Sequence, residues 1–183
     1  ASPPVAAFFA IMTKVGAYAI LRVYVLIFGG GAGAAAWIAD PWVLPAAGLT
    51  LALGMIGVLG ARTLTALAVY ALLGSVGTLL LAVGLFDETG TAAALYYLVH
   101  STLAGASLFL LVDLVARRSG GAGDRLVSAP PFAQLDLLAG LFFLAAIAAV
   151  GMPPLSGFVG KLLILDALTI APNWPWLWAL VLL

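Results

Sequence analysis

The chain has 183 residues, of which 65% are hydrophobic and 8% are charged, and its mean hydropathy is +1.24. Soluble domains carry about 25% charged residues, so this composition excludes a water-soluble globular domain and makes lipid the main solvent. Seven basic and seven acidic residues give a formal net charge of zero, which argues against a nucleic-acid partner. The absence of cysteine excludes disulfides, thiolate metal sites and thiol catalysis.

Apolar stretches, taken in chain order, predict the membrane-crossing helices. A helix needs about 20 apolar residues to cross a hydrocarbon core about 30 Å thick. The stretches that meet this length predict a single transmembrane domain with spans at residues 5–28, 42–60, 64–86, 91–116, 133–170 (broken) and 175–183 (the start of the next). The predicted fold class is therefore all-α, a polytopic transmembrane helix bundle.

The fifth apolar stretch is too long to be one straight helix. At 1.5 Å per residue it would extend about 58 Å, roughly twice the thickness of the hydrocarbon core. It also contains Pro153 and Pro154, and proline removes a backbone donor and breaks a helix. We therefore predict a discontinuous helix in the region Pro153–Lys161, with the segment from Pro153 to Gly157 unwound.

The charged connectors predict an orientation in the membrane. The Arg62 turn and the loop at residues 117–125 are basic and should lie on one side, whereas Asp40 and residues 87–88 form acidic connectors on the other. The positive-inside rule places the basic connectors in the cytoplasm. Near the end of the chain, tryptophans are predicted to form an interfacial aromatic cluster, namely Trp174, Trp176 and Trp178.

The first candidate functional residue is a lysine in the middle of the first span. Lys14 lies ten residues after Pro4, about 15 Å into the helix, where a charge costs about 2.5–3.5 kcal/mol on insertion scales. A buried lysine can exchange its proton near neutral pH, so we predict a place in a proton or ion pathway. The alternative is a lysine that snorkels or pairs structurally. Tyr18 is expected to share its face one turn later, and Arg22 is interpreted as an anchor.

The second candidate is the single histidine, midway along the fourth span. His100 carries the side chain best suited to proton relay near neutral pH. Ser101 and Ser107 add polar groups nearby, and Ser101 with Gly105 forms a small-xxx-small pair that favours close helix packing. The alternative to a relay is an imidazole bonded to a neighbouring helix for packing. On the same helix, Asp113 is predicted to pair with an arginine one turn later.

The third candidate is Lys161, seven residues after the second proline. A charge beside a broken helix points to an ion pathway, because unwound backbone exposes carbonyls and half-helix ends. The alternative is a lysine that neutralises a helix C-terminus. The break residues are predicted to support the site, namely Pro153, Pro154, Ser156 and Gly157.

The sequence contains no catalytic constellation. No phosphate loop, metal-ligand cluster or nucleophile with a neighbouring base is visible, and the glycine run at residues 29–31 is interpreted as a linker. We therefore predict no enzyme activity, no cofactor and no metal site. The chemistry is limited to moving protons or small ions, or to scaffolding.

Three stretches resemble the signatures of one protein family. Residues 13–22, Thr-Lys-Val-Gly-Ala-Tyr-Ala-Ile-Leu-Arg, resemble the KvGaYai-R signature of the proton-pumping antiporter-like subunits. The surroundings of His100 resemble that family's H…a-LF helix, and residues 151–161 resemble its rather specific GlPp-sGF-gK motif. The family includes membrane-arm subunits of complex I and large subunits of Mrp/Pha cation/proton antiporters. The details are most similar to the D subunit of the Mrp/Pha type.

The resemblance implies a fold and a set of partners. It implies a fourteen-helix subunit with two inverted five-helix repeats, of which this chain would be most of the second repeat. Lys14 would be the central channel lysine, His100 the relay histidine and Lys161 the lysine at the broken twelfth helix. The implied partners are other subunits of a hetero-oligomeric complex in the lipid bilayer of a bacterial inner membrane, and the implied ions are protons and Na⁺ or K⁺.

The chain also departs from the family pattern. Many relatives carry a Lys-Arg pair before an AYSS run where residues 65–70 read Thr-Ala-Leu-Ala-Val-Tyr, and some have a lysine where Ala104 stands. The first repeat with its Glu–Lys pair is absent. Because the chain starts without methionine and stops inside the apolar run 177–183, we expect an internal fragment that cannot hold a complete proton path.

Three functional hypotheses remain open from the sequence. The leading one is a proton-translocating subunit of a multi-subunit monovalent cation/proton antiporter. The alternative is a proton-pumping membrane-arm subunit of an NADH:quinone oxidoreductase, for which genes of peripheral flavin and iron–sulfur subunits would be the marker. The third is a scaffold without transport activity, and the deep lysines argue against it.

Overall fold

The computed structural model describes residues 3–28, 33, 36, 38–127, 131–171 and 174–182, and it confirms the all-α fold class. The helices are α1 (Pro3–Ile27), α2 (Asp40–Gly60), α3 (Leu64–Val83), α4 (Glu88–Arg118), α5 (Leu135–Val150), α6 (Ser156–Leu168) and α7 (Trp174–Leu182). The glycine run predicted as a linker lies outside the described residues. Helix α4 packs against α1, α3, α5 and α6, while α2 packs against α3 and α7. Helix α4 is therefore the central element of the bundle.

Helix α4 begins earlier than the sequence predicted. Asp87 is its N-cap, and the Asp87 carboxylate accepts a hydrogen bond from the backbone N–H of Gly90 at 2.7 Å. The predicted polar turn therefore belongs to the cap and the first turn of the helix. With 31 residues, α4 is about 46 Å long and exceeds the hydrocarbon core at its ends.

Among the described residues, four helices are long and apolar enough to cross a membrane, namely α1, α2, α3 and α4, and α5 is a shorter apolar helix. Large apolar side chains point outward from the bundle, among them Leu59 at 87% exposure and Trp42 at 74%. Such a surface is unfavourable in water and suits lipid or further apolar helices. The chain is therefore part of a multi-pass integral membrane protein.

The basic connectors meet at one end of the bundle. The backbone N–H of Leu64 donates to the Asp124 carbonyl at 2.7 Å, and that of Leu126 donates to the Arg62 carbonyl at 3.1 Å. These bonds form a short antiparallel bridge between the two loops. The bridge confirms that the Arg62 turn and the loop after α4 share one side, here called the basic end.

The acidic connectors meet at the opposite end, here called the acidic end. The Tyr24 hydroxyl accepts hydrogen bonds from the backbone N–H groups of Ala39 and Asp40. The Tyr24 ring also lies against Phe86, with 4.3 Å between ring centroids, next to the Asp87 cap. The predicted alternation of connectors is thus confirmed, and the assignment of the basic end to the cytoplasm remains a prediction.

The predicted break lies between α5 and α6. Gly151 has a φ of 78°, in the left-handed region, and its N–H donates to the Ala148 carbonyl at 3.1 Å. The N–H of Met152 donates to the Ile147 carbonyl at 3.1 Å, so the pair of bonds forms a Schellman motif that ends α5. The non-helical segment is residues 151–155. The prediction that Ser156 and Gly157 are unwound is wrong, because both form the first turn of α6.

One member of the predicted tryptophan cluster turns toward a neighbouring helix. The Trp178 indole N–H donates to the Leu165 carbonyl at 2.8 Å and so joins α7 to α6 inside the bundle. Trp176 is 77% exposed and remains compatible with an interfacial position. The side chain of Trp174 lies outside the described side chains.

Helices α2 and α3 approach closely at glycines that the sequence analysis did not single out. A Cβ added at Gly77 would lie 2.5 Å from the backbone nitrogen of Leu51, and a Cβ added at Gly54 would lie 2.7 Å from the Cα of Gly74. No side chain fits at such distances. Small residues therefore set the spacing of this helix pair, as they do in many membrane helix contacts.

We expect Gly77→Ala to destabilise the protein and Gly74→Ala to leave its stability nearly unchanged. The added methyl at position 77 must push the α2 backbone away, and overpacking of this kind costs about 1–3 kcal/mol. A methyl at position 74 would meet flexible side-chain atoms at 3.6 and 3.7 Å, which is ordinary van der Waals contact. The midpoints of thermal unfolding of the detergent-purified full-length variants check this. Equal midpoints for both variants would contradict the close approach.

Candidate functional site

A layer of polar side chains crosses the bundle between two apolar clusters. The cluster toward the acidic end includes Leu21 and Leu81, and the cluster toward the basic end includes Ala68 and Phe109. Three helices, α1, α3 and α4, contribute residues to both clusters. On each of these helices, polar residues lie between the residues that join one cluster and those that join the other. The polar layer comprises Lys14, Ser75, Thr78, Tyr97, His100, Ser156 and Lys161.

Lys14 is enclosed by the bundle rather than extended toward an interface. Its side chain is 1% exposed, and its Nζ donates a hydrogen bond to the Ser75 hydroxyl oxygen at 2.6 Å. The Tyr97 ring centroid lies 6.0 Å from Nζ. The structure therefore excludes a snorkelling lysine and pairs Lys14 with a hydroxyl of α3. Tyr18, which was expected to share this face, is 40% exposed and so is not enclosed as Lys14 is.

His100 bridges the break between α5 and α6. Its Nε2 lies 3.0 Å from the Ala148 carbonyl oxygen and its Nδ1 lies 2.9 Å from the Ser156 hydroxyl. A carbonyl can only accept, so Nε2 carries the hydrogen and Nδ1 of the neutral ring accepts from Ser156. A Cβ at Gly157 would lie 2.5 Å from both Nε2 and the Ala148 carbonyl oxygen. Glycine at this position therefore lets the imidazole reach the break.

Lys161 faces a space inside the bundle. Its Nζ donates to the Val181 carbonyl of α7 at 3.1 Å, and the side chain is half-buried. It lines a cavity of about 410 Å³ together with Ser75 and Tyr97. The lysine lies in the second turn of α6, near its N-terminus. The Val181 carbonyl belongs to the last turn of α7, so the alternative of a lysine that neutralises a helix C-terminus still applies, to α7.

Two further spaces adjoin the polar layer. A small cavity of about 20 Å³ is lined by Ser75, His100 and Ser101, among others. A cavity of this size has room for about one water molecule. A wider groove of about 350 Å³ is lined by His100, Ser107 and Ser156. Ser75 thus borders the first two spaces and His100 borders the last two, so the three spaces form a series.

The predicted site residues differ in how closely they approach one another. Two of the three charged or titratable candidates, His100 and Lys161, line this series of spaces. The third, Lys14, bonds to Ser75, which lines it. Ser101 is 5% exposed, and its hydroxyl donates to the Leu98 carbonyl of its own helix at 3.3 Å. Ser107 is exposed and bonds back to its own helix in the same way. Pro153 and Pro154 lie exposed in the break and contribute its shape rather than a polar contact.

Two hydroxyl groups of this layer, those of Ser75 and Thr78, were not predicted from the sequence. The Tyr97 side chain is buried, and its hydroxyl lies next to the Ser75 and Thr78 hydroxyls. The Thr78 hydroxyl in turn donates to the Gly74 carbonyl at 3.1 Å. Ser75 and Thr78 are three residues apart on an otherwise apolar helix. That spacing places them on one face, and it was the available signal.

Together these observations define a class of protein, a polytopic membrane protein with two lysines and a histidine inside one polar layer that adjoins a broken helix. The family model described as NADH:quinone oxidoreductase/Mrp antiporter, transmembrane region, matches residues 1–183. The chain therefore belongs to the NADH:quinone oxidoreductase/Mrp antiporter membrane family.

Individual relatives agree with this assignment. The chain is 40% identical over 186 residues to the D subunit of a probable K⁺/H⁺ antiporter of Rhizobium meliloti, with 92% of this chain and 34% of the relative covered. It is 32% identical over 173 residues to the D subunit of a Na⁺/H⁺ antiporter of Alkalihalophilus pseudofirmus, with 92% and 33% covered. A chain of the Mrp complex from Dietzia sp. DQ12-45-1b superposes with a TM-score of 0.85 at 31% identity, covering 99% of this chain and 33% of that chain. The chain thus spans about a third of the length of these relatives.

Proposed function

We propose that this chain is the proton-translocating portion of the D subunit of a multi-subunit monovalent cation/proton antiporter. The observation that carries the proposal is Lys14, a lysine 1% exposed in a lipid-facing bundle and bonded to a hydroxyl. A purely structural charge at this depth would be costly, and a carboxylate would be its expected partner. Relatives named as D subunits of K⁺/H⁺ and Na⁺/H⁺ antiporters support the same function.

In this proposal the polar layer holds protons at three places. Lys14 and Lys161 hold a proton at Nζ, and His100 takes one at Nδ1. When Nδ1 gains the proton, the Ser156 hydroxyl turns from donor to acceptor, so both ring nitrogens keep a partner. Water in the adjoining cavities carries protons between these groups. The apolar clusters on either side restrict water, which keeps protons from leaking past the layer.

The remainder of the protein completes the proposed system. We propose a fourteen-helix subunit in a bacterial plasma membrane, in which a first repeat supplies the other half of the proton path. Further subunits of a hetero-oligomeric complex would surround it, and protons would exchange for Na⁺ or K⁺. The family also contains respiratory membrane-arm subunits, but the relatives compared above are antiporter subunits and an Mrp complex, which favours the antiporter.

Everted membrane vesicles that contain the full complex test this function. After respiration has acidified their interior, we expect addition of Na⁺ or K⁺ to collapse the pH gradient, which a fluorescent amine reports as dequenching. Choline, at equal concentration, is the control cation, and vesicles from a strain without the complex are the control membranes. A gradient unaffected by both cations would contradict antiport. A gradient built by NADH oxidation that requires this complex would favour the respiratory alternative.

A further inference from the structure

The bond between Lys14 and Ser75 has a chemical property that other lysine partners lack. An ammonium group only donates hydrogen bonds, whereas a neutral amine also offers a lone pair that can accept one. Carboxylate and carbonyl oxygens only accept, so they cannot turn to serve that lone pair. A hydroxyl donates and accepts, and its hydrogen rotates. Ser75, 2.6 Å from Nζ, is therefore a partner that suits both protonation states of Lys14.

The hydroxyl groups next to Ser75 allow the Lys14–Ser75 hydrogen bond to exchange donor and acceptor while the hydroxyl hydrogens keep acceptors. With Lys14 charged, the Ser75 oxygen accepts from Nζ, and its own hydrogen can turn toward the neighbouring Tyr97 hydroxyl, while the Thr78 hydroxyl donates to the Gly74 carbonyl. With Lys14 neutral, Ser75 donates to Nζ and accepts from Tyr97 instead. Only hydroxyl rotations separate the two patterns. An apolar residue at position 75 would remove the hydroxyl bonded to the buried Lys14 nitrogen, and one at position 97 would remove the group toward which the Ser75 hydrogen turns.

Ser75 also connects Lys14 to the cavities that the other titratable groups of the layer line. Toward α4 and α6 it borders the cavity of about 410 Å³ that Lys161 and Tyr97 line. Toward α4 it also borders the cavity of about 20 Å³ that His100 lines. In the part of the chain that the structure describes, Tyr97, His100 and Lys161 are thus the titratable groups that line the cavities bordered by Ser75.

We propose that Ser75 and Tyr97 are positioning residues for proton exchange at Lys14: the Ser75 hydroxyl pairs with the Lys14 nitrogen in both protonation states, and the neighbouring Tyr97 hydroxyl serves Ser75 in turn. The inference rests on the proposed antiport function and extends it to two residues of α3 and α4. It assigns their effect to the hydroxyl groups rather than to side-chain shape. When a proton leaves Nζ, the N–H bond breaks and the proton passes to water in the cavities that Ser75 borders.

Isosteric variants separate hydroxyl from shape in the full antiporter complex. Ser75→Thr keeps the hydroxyl, whereas Ser75→Val gives a side chain of the same size that lacks the hydroxyl. The extra methyl groups fit because Ser75 borders two cavities. We expect the Thr variant to keep most of the exchange rate per assembled complex and the Val variant to lose about tenfold or more. Tyr97→Phe should lose activity in the same direction. Thr50→Val, which removes a hydroxyl bonded to its own helix on α2, is the matched control and should keep the wild-type rate.

Each outcome decides the inference. Equal rates for Ser75→Thr and Ser75→Val, whether both high or both low in assembled complexes, would overturn it, because shape and not the hydroxyl would then matter. If the position-75 variants fail to assemble, Tyr97→Phe decides, and a wild-type rate there would overturn the inference. Failure of the proposed function looks different, because the wild-type complex would then show no cation-dependent exchange.

Discussion

Replacing Lys14 with alanine should abolish cation/proton exchange while the subunit still inserts and assembles. The substitution removes the proton-holding group that α1 contributes to the polar layer, and loss of an acid–base group lowers rates by about 100-fold or more. Assembly should survive because Lys14 pairs with a hydroxyl, so its loss leaves no buried carboxylate unpaired, and because a buried ammonium costs free energy in lipid. Dequenching of the pH gradient in vesicles, scaled to the amount of assembled complex, measures the effect.

Arg22→Ala provides the matched control for this experiment. Arg22 is a basic residue of the same helix, two turns further on, and is exposed. Its removal should change exchange little, since its predicted role is anchoring at the membrane boundary. A Lys14→Ala complex that exchanges at the wild-type rate would instead return Lys14 to a structural role and remove the observation that carries the proposed function.

Lys161→Met should stop proton exchange, and Lys161→Arg should restore it poorly. Methionine keeps the length of the side chain but holds no proton, so we expect a loss of about 100-fold or more. Arginine keeps the charge and can still bond to the Val181 carbonyl, but a guanidinium does not readily release its proton. The pair of variants therefore separates proton release from charge, and the same vesicle assay measures both.

Asp166→Asn controls for changes to α6 that do not touch the cavity. Asp166 is an exposed charged residue of this helix and is not among the residues that line the cavity of about 410 Å³. It should keep wild-type exchange. If Lys161→Arg exchanged as fast as lysine, a fixed charge would suffice and the proposed proton release at Nζ would be wrong.

Local sequence features predicted the elements that depend on one helix at a time. The length of the apolar stretches predicted the all-α bundle because lipid requires each spanning segment to satisfy its own backbone. The break followed from an excess of length and two prolines, and the Asp113–Arg117 ion pair, 2.6 Å in the structure, followed from helical spacing. The N-cap at Asp87 was missed because acidic and glycine residues also mark turns.

The deep charges were visible in the sequence, since Lys14, His100 and Lys161 interrupt apolar runs. Their partners were not, because a hydrogen bond between α1 and α3 depends on how two helices rotate and cross. Ser75, 61 residues away from Lys14 along the chain, was therefore not predicted as its partner.

By itself, the sequence determined that this chain lies in a membrane. It also determined where the helices lie along the chain and which charged residues lie deep within them. Those properties follow from hydropathy, length and proline chemistry, which act along the chain. The tertiary structure alone decided that Lys14 bonds to a hydroxyl, that His100 closes on the helix break and that Trp178 points inward. These contacts join residues far apart in sequence, and close packing between helices, with glycine at the points of approach, fixes them.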